Sequence, residues 1–139
     1  MTENSGAAGG GHARAGGASG GLRALTVRQP YAWAIASGYK LVENRPRPLS
    51  YRGLLAIHAA KGFNTDDRDR IDPVAERAGV LRGTVAEGAE VRGAVVAVAQ
   101  LVGMCSEARR YSASRPLACG CGRWAANGWY HLLLAEVHA

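Results

Sequence analysis

No apolar run in this chain approaches the roughly 20 residues that a membrane-spanning helix requires, so the sequence predicts no membrane partner. A Walker loop, a dinucleotide-binding fingerprint and a hydrolase elbow are also absent, which removes three common classes of enzyme site. The chain has only three cysteines and shows no secretory signal sequence, so we expect a reducing, cytoplasmic setting. Acidic residues are scarce, with 11 Asp and Glu against 17 Lys and Arg. The net charge of +6 favours an acidic partner, although free use of arginine would produce the same excess.

The first 21 of the 139 residues are low in complexity, since 13 of them are Gly or Ala. Such a segment cannot bury enough apolar surface to offset its ordering entropy, so we predict a disordered tail over residues 1–21. Residues 22–139 are then predicted to form one domain, which is long enough to bury a core.

A cationic segment, residues 22–61, follows the tail and carries seven Lys and Arg against a single acid. Within it, Ala24–Val27 predicts a buried strand, and Pro30 predicts the first position of a helix. Gly38 predicts the left-handed end of that helix. The turn between strand and helix would place Arg28 beside free backbone N–H groups, and such a point suits an anion.

The cationic segment closes with a second predicted strand, Gly53–Ala60. Pro46 and Pro48 exclude a central strand just before it, so that stretch is predicted to be a loop or a sheet edge. Trp33 and Ile35 are expected to pack the first helix on the sheet.

Residues 66–92 differ in composition, because seven acids are mixed among five arginines. Asp72 followed by Pro73 predicts a helix start, and Gly79 predicts its end. We interpret this stretch as a peripheral helical insert with a solvated charged face. Its mixture of charges argues against an anion-binding surface.

The last third of the chain predicts two strands joined by a long loop. Gly93–Val102 is nearly all apolar and predicts a central strand that is buried on both faces for part of its length. Residues 104–128 predict a loop, and a loop of this length in a small domain is usually functional or flexible. Trp129–Val137 alternates well enough to predict a closing strand.

Three blocks of the cationic segment occur in an order that resembles the ASCH (activating signal cointegrator homology) domain family. They read Thr26-Val-Arg-Gln-Pro-Tyr-Ala, Ser37-Gly-Tyr-Lys-Leu-Val-Glu-Asn-Arg and Tyr51-Arg-Gly-Leu-Leu-Ala-Ile-His-Ala-Ala-Lys. The resemblance implies an α+β fold, a PUA-like mixed β-barrel with flanking short helices. It also implies a cleft between the first helix and the barrel that binds RNA or a nucleotide. Family members often add a Pro-containing turn and a Gly-Leu-Trp-like strand, which leaves open whether this barrel lacks its final strand.

The resemblance therefore implies nucleic-acid or nucleotide binding, with RNA favoured and DNA left open. The polar contacts would come from Arg28, Gln29, Lys40, Glu43, Arg45, His58 and Lys61. The cations would contact phosphate, while Gln29 and Glu43 could read a base edge. For His58, which ends an apolar strand, a satisfied residue of the core or rim is the competing interpretation.

A hydrolase is the alternative. Some small bacterial family members with the pattern Gly-x-Lys-x-x-Thr-x-Arg are amidohydrolases that deacetylate N4-acetylcytidine, in which the Lys is implied to activate the Thr hydroxyl. Gly38, Lys40 and Arg45 match this pattern, but Glu43 occupies the threonine position. As an amidohydrolase or a ribonuclease, the protein could use Glu43 as a general base on water, with Lys40 or Arg45 stabilising an oxyanion. Glu43 could equally form a structural ion pair with Arg45, and a protein-interaction module with an inactive cleft is a third hypothesis.

Cys105, Cys119, Cys121 and His131 are candidate zinc ligands. Only Cys119 and Cys121 are closely spaced, and one intervening residue is not the two-residue spacing of common zinc sites. The sequence therefore predicts free thiols in a loop, no bound metal and no cofactor.

Overall fold

The computed structural model describes residues 21–139, so the predicted tail lies outside the described residues except for Gly21. The elements, in chain order, are β1 (Arg23–Val27), α1 (Tyr31–Ala36), β2 (Val42–Arg45), β3 (Gly53–Ala59), α2 (Thr65–Asp69), α3 (Ile71–Ala78), α4 (Arg82–Gly88), β4 (Ala94–Cys105) and β5 (Tyr130–His138). None of the helices within residues 21–139 is both long and apolar enough to cross a membrane.

The five strands form one mixed sheet, in the order β1-β3-β4-β5-β2, that curls into a half-barrel. β1 pairs with β3 in parallel, and every other neighbouring pair is antiparallel. β4 is the central strand, as predicted, and β1 and β2 are the two edges. Arg45 on β2 connects these edges, because its guanidinium donates to the Thr26 carbonyl of β1 over 2.5 Å. The expected α+β architecture with short flanking helices is confirmed.

Helix α1 lies between two apolar clusters. Ala32 and Ile35 pack with the buried side chains of the sheet, while Ala34 packs with the helices of residues 65–88. The expectation for Ile35 is therefore confirmed. The expectation for Trp33 is wrong, since its indole packs with the second cluster and lies against the backbone of Gly88.

The turn after α1 determines where Lys40 lies. Gly38 has a φ of +84°, so the predicted left-handed end is confirmed, whereas Pro30 is the N-cap residue rather than the first helical residue. The N–H groups of Tyr39 and Lys40 both donate to the Ala34 carbonyl. The chain therefore folds back beneath the helix, and Lys40 is left only 2% exposed.

The helical insert contains three short helices, and its capping differs from the prediction. Asn64 caps α2 in a reciprocal capping box with Asp67. Helix α3 begins at Ile71, so Asp72 lies inside it and is not its N-cap. Gly79 ends α3 with a φ of +73°, as predicted.

Strand β4 is less buried than predicted. Ala97, Ala99 and Leu101 are buried in the core, but Val95 and Val102 are 57% and 59% exposed. The prediction of burial on both faces is wrong, because the helices cover only the inner face of the sheet. The outer face of β4 stays exposed although its residues are apolar. The long loop that follows β4 and the closing strand β5 are confirmed.

Candidate nucleic-acid interface

A cavity of about 510 Å³ opens where the two edge strands of the half-barrel approach each other. The end of β1 and all but the first residue of β2 line it, together with Tyr31 of α1. The helical insert supplies Arg70 and Arg77, and the long loop supplies Trp124. The pocket thus collects side chains that are far apart along the chain.

Five cationic side chains and two carboxylates line the pocket. They are Arg28, Lys40, Arg45, Arg70, Arg77, Glu43 and Asp67. Both carboxylates already form ion pairs with these cations, so the lining retains an excess of positive charge. A concave wall with this balance attracts an anionic ligand.

Lys40, Glu43 and Arg45 form a connected ion cluster on one wall of the pocket. Lys40 Nζ donates to Glu43 Oε1 and to the Val42 carbonyl, each over 2.5 Å. The other carboxylate oxygen lies 3.1 Å from the Arg45 guanidinium. Burial lowers the pKa of Lys40, and the adjacent Glu43 carboxylate opposes that shift. The predicted ion pair between Glu43 and Arg45 is present, and Lys40 joins it.

Arg28, Asp67 and Arg70 form a second ion cluster. Arg28 Nε donates to Asp67 Oδ1 over 2.8 Å, its terminal nitrogen pairs with the other oxygen, and Arg70 lies 3.8 Å away. The hydrogen bonds from Arg28 hold the pKa of Asp67 below its usual value, and the Asn64 N–H adds to the effect. The same hydrogen bonds raise the pKa of Arg28. Asp67 is buried, but the side chains of Arg28 and Arg70 are about half exposed.

The side chain of Gln29, in the turn before α1, makes its hydrogen bonds within the protein. Gln29 is fully buried, where its amide accepts from the Trp33 N–H and donates to the carbonyls of Val91 and Gly88. Gln29 therefore lies outside the pocket lining and fastens α1 to the end of the helical insert. A buried glutamine and an exposed ligand contact cannot be told apart from the sequence alone.

His58 and Lys61 also lie outside the pocket lining. His58 Nδ1 is 3.3 Å from Thr26 Oγ1, which follows from the pairing of β1 with β3. Lys61 is exposed and its stem passes Gly93. Of the seven predicted contacts, the structure brings together four in the pocket: Arg28, Lys40, Glu43 and Arg45.

The sequence interpretation missed the arginines of the helical insert. Its mixed charge argued against an anion-binding surface there, yet Arg70 and Arg77 line the pocket. The acids of the insert are distributed over several faces of three helices, so the average charge of the segment does not describe the face that meets the pocket. The seven-residue spacing between Arg70, the N-cap residue of α3, and Arg77, within α3, was the available signal.

Two tryptophans of the long loop complete the lining. Trp129 is 40% exposed, whereas Trp124 is 8% exposed, with the Arg77 guanidinium 5.8 Å from its ring centroid. The Asn44 side chain holds this part of the loop, because it donates to the Trp124 carbonyl and accepts from the Ala126 N–H. An exposed indole beside cationic groups is suited to stacking on a nucleobase.

A second cluster of chemically active groups lies on the loop side of the sheet. The ligand atoms of Cys105, Cys119, Cys121 and His131 all lie within 4.8 Å of one another. Burial and the neighbouring thiols raise the pKa of Cys121 to about 12. Spacing along the chain does not show this cluster, because the pairing of β4 with β5 brings Cys105 directly opposite His131.

Comparison with known proteins identifies a family. The family model of the ASCH domain matches residues 25–135, nearly the whole described chain. The comparison with curated proteins produced no match.

Proposed function

Because the chain belongs to the ASCH domain family, which is PUA-like and generally linked to RNA binding, we propose that it binds single-stranded RNA and takes one nucleotide into the pocket. The observation that carries this proposal is the excess of cations around a cavity of about 510 Å³ with an exposed tryptophan in its lining. A cavity of this volume matches small-molecule sites, which hold ligands of nucleotide size. Such a ligand also fits the predicted cytoplasmic setting.

Arg70 and Arg77 are the proposed phosphate contacts. Both side chains belong to exposed residues, and Arg70 is only weakly engaged by Asp67 at 3.8 Å. Arg28 donates two hydrogen bonds to Asp67, but its side chain is 48% exposed and contributes charge to the same wall. Arginine binds phosphate in a bidentate manner, so one arginine at the N-cap of α3 and one near its end can contact two backbone phosphates.

Trp129 is the proposed stacking partner for the base. Lys40 and Glu43 would form a charged wall beside the nucleotide, since their polar atoms are paired with each other and both are nearly inaccessible. In this proposal they shape the pocket rather than supply the main binding energy.

A binding screen with fluorescently labelled single-stranded RNA, duplex RNA, single-stranded DNA and free nucleotides tests the proposal. We expect the single-stranded RNA to bind most tightly, and Arg70→Ala and Arg77→Ala each to weaken binding about tenfold. Trp129→Ala should weaken it by about 1–3 kcal/mol. Arg82→Ala is the matched control, because Arg82 is an exposed arginine of the same insert that pairs with Asp72 outside the pocket. Equal losses for all three arginine variants would contradict a pocket-specific contact.

Hydrolysis of a modified nucleoside or of RNA is the second candidate. The observation that favours it is the buried lysine, whose pKa is lowered by burial and whose Nζ lies 2.5 Å from a carboxylate. In that mechanism Glu43 accepts a proton from water and Lys40 stabilises the developing oxyanion. Product analysis on the binding samples, with N4-acetylcytidine added as a substrate, separates the two functions. A hydrolase should lose roughly 10²–10⁴-fold in turnover in Glu43→Gln with little change in affinity, whereas a binding protein forms no product.

A further inference from the structure

We propose that Cys105, Cys119, Cys121 and His131 bind one structural zinc ion. Three sulfur atoms and one imidazole nitrogen lie within 4.8 Å of one another, and no carboxylate belongs to the cluster. Three thiolates and one imidazole form a common tetrahedral ligand set for zinc. The proposal concerns residues outside the pocket and does not depend on RNA binding.

The distances suit a tetrahedral ion. Zinc–sulfur and zinc–nitrogen bonds of about 2.3 and 2.0 Å place the ligand atoms of a tetrahedral site roughly 3.5–3.8 Å apart. Cys119 Sγ and His131 Nδ1 are already 3.4 Å apart, and no separation in the cluster exceeds the tetrahedral value by more than about one ångström. Small rotations of the side chains are enough to close the site around an ion.

The imidazole of His131 is held in the tautomer that a metal requires. His131 is fully buried, and its Nε2 lies 2.7 Å from the Ala126 carbonyl. A carbonyl oxygen only accepts, so Nε2 carries the proton and donates it. In the neutral imidazole of this tautomer, Nδ1 carries the lone pair and lies 3.4 Å from Cys119 Sγ. A backbone carbonyl that orients the imidazole in this way is typical of metal-ligating histidines.

Two of the four proposed ligands come from strands of the sheet, and the other two come from the long loop. Cys105 ends β4 and pairs with His131 on β5, so two ligands come from the rigid sheet. Cys119 and Cys121 come from the long loop between those strands. Four protein ligands leave no coordination position for water or substrate, so the ion would be structural and not catalytic.

A zinc ion at this place would fasten the loop to the sheet. Residues 106–129 contain no helix or strand, and the same loop carries Trp124 and Trp129 of the pocket. Asn127 organises part of the loop. Its side-chain amide donates to the carbonyls of Ser112, Arg115 and Pro116 and accepts from the Ala118 N–H. The cysteines would add a connection to β4 and β5. Each thiol releases its proton to solvent when it binds the ion.

Metal analysis of the full chain, expressed with zinc supplied and purified without chelator or polyhistidine tag, tests the proposal. We expect about one zinc per chain, which is lost in Cys119→Ser and in His131→Asn. All three cysteines belong to the cluster, so the matched control is His138→Asn, an exposed histidine on the same strand, and this variant should retain the ion.

Adding chelator and then zinc to the wild-type protein, with Tm as the measured quantity, gives a second test that needs no variant. Chelator should lower the Tm by at least about 10 °C, and zinc added back to the reduced protein should restore it. Cobalt(II) in place of zinc should produce the visible bands of a tetrahedral thiolate site. Protein that retains no zinc and shows no change in Tm when zinc is added in reducing buffer would overturn the proposal. Retention of iron or copper instead, or a disulfide among the three cysteines, would also overturn it.

Discussion

At the scale of single residues, Asp67 is the acid that holds the cationic wall in place. It is only 1% exposed, it completes the capping box with Asn64, and it pairs with Arg28 from a different part of the chain. One carboxylate therefore connects the turn after β1, α2 and the start of α3. Its loss would leave the Arg28 guanidinium without its main partner and the Asn64 N–H without an acceptor.

Asp67→Asn should destabilise the protein by about 1–3 kcal/mol at pH 7, as measured by urea unfolding. Because the folded state lowers the pKa of Asp67, the stabilisation is present above the ordinary pKa of an aspartate. It is lost as the pH falls through the lower pKa of the folded state. The difference between wild type and variant should therefore shrink below about pH 4. A difference that stays constant from pH 7 to pH 3 would contradict this.

The pair of Lys40 and Glu43 predicts a non-additive result. Glu43→Gln should destabilise the protein by about 3 kcal/mol, because it leaves a buried ammonium without its counter-charge. The double variant Lys40→Met with Glu43→Gln should recover most of that loss, since a buried ion pair is often replaced by neutral groups at little cost. Urea unfolding of the two single variants and the double variant completes the cycle. Strictly additive losses would show that the two side chains act independently.

At the scale of elements, α4 makes a contact that only glycine allows. A Cβ on Gly88 would lie 2.0 Å from the Trp33 ring, whereas a Cβ on Gly83 in the same helix would meet nothing within 4 Å. The close approach at Gly88 lets α1 pack directly on the end of the insert. That approach also brings the Val91 carbonyl within reach of Gln29.

Gly88→Ala and Gly83→Ala should therefore change stability in opposite directions. The first should destabilise by about 1–3 kcal/mol, because the indole of Trp33 must move. The second should stabilise by up to about 1 kcal/mol, because alanine favours the helix and restricts the unfolded chain. Thermal unfolding of both variants measures the contrast. Similar effects of the two would show that the contact with Trp33 is easily rearranged.

At the scale of the whole molecule, the positive charge of the pocket comes from segments that the fold brings together. Arg28 follows β1, Arg45 belongs to β2 and Arg77 belongs to α3, and they share one lining. If the pocket binds RNA, affinity should fall linearly with salt concentration on a double logarithmic plot, since each neutralised phosphate releases counterions. Arg77→Ala should reduce the slope by about one, and Arg82→Ala should leave it unchanged. An unchanged slope in both variants would place the phosphates elsewhere.

The local features of this fold are readable in the sequence because local chemistry decides them. Apolar runs predicted β1, β3 and β4, and an alternating pattern predicted β5. Glycines that adopt positive φ ended α1 and α3 where predicted. Three blocks of the cationic segment indicated the family, and residues 25–135 match its model. The resemblance to that family also predicted the α+β, PUA-like architecture.

Only the tertiary structure decided which polar groups are available to a ligand. Arg28 and Gln29 are adjacent in sequence, yet one is half exposed and the other is buried, because Asp67 and the Val91 carbonyl reach them from distant segments. The same holds for the four possible zinc ligands, since strand pairing brings Cys105 to His131 across 26 positions of chain. Contacts between residues that are distant in sequence depend on strand register and packing, and the spacing of residues along the chain determines neither.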